Sequence, residues 1–102
     1  MIINVDQARG GLEIVEPSDF KSFAVRIHGA GQENDELLDL AAVKRDRSHA
    51  WIAERWLREW PALKEEAWWQ EGLSRMIAVA ARFGWVDNET GSVRAHIERV
   101  GS

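Results

Sequence analysis

Residues 69–84 read WQEGLSRMIAVAARFG, and residues 85–97 continue WVDNETGSVRAHI. The first run carries apolar side chains at helical spacing. Trp69, Gly72, Leu73, Met76, Ile77, Ala80 and Phe83 share one face, while Glu71, Ser74, Arg75 and Arg82 lie off it. Gly84 stops this helix, and the second run then drops its period. Val93, Ala95 and Ile97 alternate with Arg94, His96 and Glu98, as a strand requires, behind a polar turn with Gly91. A helix followed directly by a β-hairpin indicates a mixed domain. The rival for the last segment is a short helix capped by Ser92, with Val93, Ile97 and Val100 in register.

Upstream of this run the pattern stays helical. Pro61 suits a first helical turn, with a break or fresh start near Ala67, where Leu63 and Ala67 leave the apolar stripe. A second helix runs from a Ser48 cap to about Trp60. On it Ile52, Ala53, Trp56, Leu57 and Trp60 gather on one face with His49. Trp51 falls instead among Glu54, Arg55 and Arg58. A first helix, capped by Asn34 with Asp35 and Glu36 in its first turn, runs to about Val43. Trp56, Leu73 and Ile77 are expected to be almost fully buried.

The N-terminal third changes period again. Ile2–Val5 and Leu12–Val15 flank a Gly10-Gly11 turn and read as strands. Phe23, Val25 and Ile27 alternate with Arg26 and His28, giving a third strand. Its rival is a helix capped by Ser18, with Phe20, Phe23, Ala24 and Ile27 at helical spacing. The expected fold is therefore α+β: N-terminal β-strands, about three central α-helices and a C-terminal β-hairpin. It forms one compact domain over residues 1–100, with Gly101-Ser102 reading as a cloning remnant.

Composition narrows the function classes. The chain has 102 residues and no cysteine, which excludes disulfides, thiolate zinc sites and a thiol nucleophile. The start of the chain lacks the basic and apolar regions of a secretory signal. Met76–Ala81, the longest apolar run, is too short to cross a bilayer, so no membrane role and a cytoplasmic location are expected. A net charge of −4 supplies no basic field for nucleic acid. The outline of helices then hairpin does resemble a winged helix, with Arg75, Arg82 and Arg94 facing DNA. Glu65, Glu66 and Glu71 at the start of the supposed recognition helix argue against that reading.

No catalytic motif stands out, and no catalytic residue is assigned. His28, His49 and His96 lack metal-ligand spacing, so neither a metal nor a cofactor is expected. No serine lies in a nucleophile elbow. Gly29-Ala30-Gly31 lacks the remaining residues of a phosphate loop, and acids follow it at once. The unusual feature is six tryptophans without a tyrosine.

These observations favour a non-catalytic binding or protein-interaction module with a tryptophan-rich helical face. Trp51, Arg55 and Arg58 are its candidate partner-binding residues, and the partner is another protein or a second copy of the chain. The alternatives are a small-molecule-binding protein or enzyme with an aromatic-lined pocket, and the winged-helix-like DNA-binding protein.

Overall fold

The strand Ser92–Val100 (β7) organises the molecule. In the computed structural model, which describes residues 1–29 and 31–100, β7 is the longest strand and has neighbours on both edges. Six further strands join it: β1 (Ile2–Asp6), β2 (Gly11–Val15), β3 (Ala24–His28), β4 (Ala42–Arg45), β5 (His49–Ala53) and β6 (Val86–Asp87). The sheet runs β2-β1-β3-β7-β5-β4, with β6 beside β7. β1, β3 and β7 are mutually parallel, and the remaining pairs are antiparallel.

The register fixes two chemically different faces. Ile3 pairs with Val25 and Val25 with Ile97, while Ala95 pairs with Ala50. All five are buried, with Val5, Ile27 and Ile52, in one core. Their alternates form the opposite face: Asn4 beside Arg26, Arg26 beside Glu98, His49 beside His96, and Trp51 between Arg94 and Lys44. This is the period-two segregation of a sheet covered on one side only.

Three helices, α1 (Gln32–Leu38), α2 (Glu54–Arg58) and α3 (Ala67–Arg82), contribute to the same core through Leu38, Leu57, Trp69 and Leu73. Trp69 is fully buried, and its Nε1–H donates to the Leu57 carbonyl at 3.0 Å, which satisfies the indole. A radius of gyration of 12.9 Å is that of one packed domain of about 100 residues. The expected α+β class, with strands first and a hairpin last, is the observed one.

Several element boundaries need correction. The segment expected as a helix over residues 48–60 is β5 followed by the short α2. Ala50 and Ile52 are buried toward the helices, while Trp51 points to the other face. Pairing with both β4 and β7 outweighs the local helical pattern. Ser48 lies in the β4–β5 turn rather than capping a helix. The first helix ends at Leu38, because residues 42–45 are needed as β4.

Asn34 is not an N-cap. It is buried inside α1, where it accepts from Gln7 N–H at 3.0 Å and donates to the His28 carbonyl at 2.7 Å. The third helix starts at Ala67, after turns over residues 61–65. Leu73 is buried as expected, whereas Trp56 and Ile77 are half-buried. Phe83, expected on the core stripe, is 62% exposed. The glycine-rich segment 29–31 includes Ala30, which with Gly101-Ser102 lies outside the described residues.

Candidate functional site

Helix α3 carries two apolar stripes rather than one. Trp69, Leu73, Met76 and Ala80 form the buried stripe. At 100° per residue, Trp68, Gly72, Val79 and Phe83 fall within about 60° of one another and make a second. Of these only Gly72 is buried. Trp68 is 43% and Val79 50% exposed. Trp85, just beyond the helix, is 38% exposed and stacks on Phe83 with ring centroids 4.8 Å apart.

The segment between β2 and β3 supplies the opposing wall. Phe20 sits on Gly72, so close that a Cβ built there would lie 2.1 Å from its Cζ. The Phe20 ring also meets Trp68 and Trp69, at 6.5 and 5.9 Å between centroids. The backbone behind it is anchored. The buried Met1 directs its terminal amine to the carbonyls of Asp19, at 2.5 Å, and Ser22, at 2.8 Å. Burial pushes that amine below its ordinary range, and the charges of Asp19 and Glu16 oppose the shift.

The floor of the site is a seam in the sheet. β6 pairs β7 at Ser92 and Val93, and β3 pairs the same edge from His96 onward. Between them Arg94 N–H reaches only the Trp85 carbonyl, at 2.8 Å. Over this seam lies a cavity of about 420 Å³ walled by Phe20, Phe23, Met76, Val79, Trp85 and Val93. That volume is in the range of small-molecule sites. The charged residues lining it are Lys21, Arg75 and Arg94, all cationic. The Arg94 guanidinium lies 5.2 Å from the Trp85 ring centroid.

The residues expected to bind a partner are placed elsewhere. Trp51 is half-buried on the open sheet face, with Lys44 Nζ 4.6 Å from its ring centroid. Arg58 joins α2 to α3. It donates to Glu54 Oε2 at 2.6 Å, to Gln70 Oε1 at 2.9 Å and to Ser74 Oγ at 2.9 Å. Arg55 is exposed and pairs with Glu59 at 3.9 Å. Arg55 and Arg58 share a shallow depression with Glu54 and Glu59 that Trp51 does not line. The three residues therefore do not meet on one surface.

The other polar groups act locally. His28 meets Asn4 Oδ1 at 3.1 Å. His49 and His96 face each other with ring centroids 6.0 Å apart. Among the described residues, no three His, Asp or Glu side chains converge as metal ligands. Asp46 accepts the N–H groups of Ser48 and His49 at 2.7 and 2.8 Å, which holds its carboxyl below the usual range. Asp87 is lowered chiefly by Lys44, 3.0 Å away.

Sequence reading missed the groove because Phe83 was assigned to the core and Val79 to no face. The second α3 stripe was the available signal. Phe20 and Phe23 carried none, since nothing local says that residues 17–23 cross over α3. Compared with protein-family models, curated proteins and solved structures, the chain finds no match.

Proposed function

We propose that this chain is a non-catalytic binding protein whose ligand site is the aromatic groove between α3, residues 20–23 and the β6–β7 hairpin. One observation carries this reading. Large apolar side chains stay exposed around a cavity of ligand size, although the core has closed around Trp69 and Leu73. The lining holds no carboxylate, imidazole or hydroxyl side chain, so it offers no acid–base pair for catalysis. The contact surface expected from Trp51, Arg55 and Arg58 draws less support. Both arginines are paired by their own glutamates, and Trp51 lies under Lys44.

A titration with the uncharged dye phenylnaphthylamine tests the proposal. Its fluorescence should rise and shift to the blue as it saturates one site per chain. Val79→Glu places a charge in the wall at an exposed position. It should weaken binding at least tenfold while changing stability by no more than about 0.5 kcal/mol. An unchanged titration in Val79→Glu would remove the groove as the site.

A further inference from the structure

The lining of the groove is electrostatically one-sided, and its charges are unspent. We propose that its ligand is a small amphipathic monoanion, an apolar body ending in a carboxylate, held by Arg94, Arg75 and Lys21. This rests on the reading of the groove as a ligand site.

The chain as a whole is acidic, with 17 Asp and Glu against 13 Lys and Arg. Every charged residue lining the groove is nevertheless a cation. They come from three separate parts of the fold: Lys21 from the segment before β3, Arg75 from α3 and Arg94 from β7. Of the ten cations outside the groove, seven are used internally, and Arg47, Lys64 and Arg82 are the exceptions among the described residues. Arg9, Arg26, Lys44, Arg45, Arg55, Arg58 and Arg99 each pair with a carboxylate within 4 Å. Among the described residues, none of the three groove cations has such a partner. Asp46 feels the charge of Arg94, but its carboxylate already accepts the N–H groups of Ser48 and His49.

Lys21, Arg75 and Arg94 border one cavity without a carboxylate among its lining residues, so an anion there meets a field of a single sign. An apolar ligand body seated against these walls would displace water from them and so reduce the screening of each charge-assisted hydrogen bond. Arg94 is suited to this task. A guanidinium against an indole keeps its in-plane N–H groups free for a carboxylate fork. The same walls argue against bare phosphate, which would leave Phe20, Phe23 and Trp85 unmatched. A cationic amphipath would be repelled.

Two dyes that share a ring skeleton separate the claims. Anilinonaphthalene sulfonate carries an anion, and phenylnaphthylamine does not. The intact protein should bind the sulfonate about tenfold more tightly, the contribution of a charge-assisted hydrogen bond. Arg94→Gln combined with Arg75→Gln should bring the two affinities within about twofold, with the urea midpoint unchanged. Lys21→Gln provides an independent variant if that pair fails to fold. Decanoate should displace the sulfonate, and decanol should do so about tenfold less well.

Equal affinity of the intact protein for both dyes would overturn the anion assignment and leave the groove standing as a ligand site. Binding of neither dye would overturn both. Co-sedimentation with phosphatidylglycerol vesicles, without displacement by decanoate, would assign the cations to a membrane surface and contradict the proposal.

Discussion

Gly72 and Phe20 set the shape of the site. In sequence, Gly72 is a glycine on the buried side of a helix, which reads equally as room for a neighbouring helix or as an irregularity. The neighbour is the Phe20 ring, which the chain pattern does not identify. The ring cannot yield freely, because it lies against both Trp68 and Trp69. Gly72→Ala should therefore destabilise the protein by about 1–3 kcal/mol, despite the roughly 1 kcal/mol that alanine gains over glycine in a helix. In a Phe20→Ala background the clash is gone, and the same substitution should become neutral or stabilising. Urea melts of the four proteins test this reversal. A Gly72→Ala cost that persists without Phe20 would show that the contact does not govern the position.

At the scale of elements, what the sequence disclosed depended on how far apart the stabilising partners lie. Helix α3 and the C-terminal hairpin were legible because their periods are local. Residues 48–60 were not. Ile52, Trp56, Leu57 and Trp60 satisfy a helical wheel, yet His49–Ala53 lies between β4 and β7, whose pairing no local pattern announces. Trp51 consequently moved from a charged helix face to the open side of the sheet. Arg58 kept its helix but joins α2 to α3 through Gln70 and Ser74. Arg58→Ala should cost about 1–3 kcal/mol in denaturant melts, and Arg58→Lys should not restore it, since an ammonium cannot reproduce the fork. Full stability of Arg58→Ala would contradict this role.

At the scale of the whole molecule, a sheet covered on one side leaves a seam where β6 and β3 share the same edge of β7. The groove lies over that seam. The core was largely readable from alternation and helical spacing, since Val25, Ile27, Leu73, Ala95 and Ile97 are all buried. The site was not, because its walls come from three distant stretches that only the finished topology brings together. The central claim is that ligand enters here and not at Trp51. Indole N–H resonances measure this directly, each assigned by a tryptophan-to-phenylalanine substitution in ¹⁵N-labelled protein. Saturating phenylnaphthylamine should move the Trp85 resonance and leave that of Trp51 in place. Movement of Trp51 with Trp85 unchanged would contradict the account.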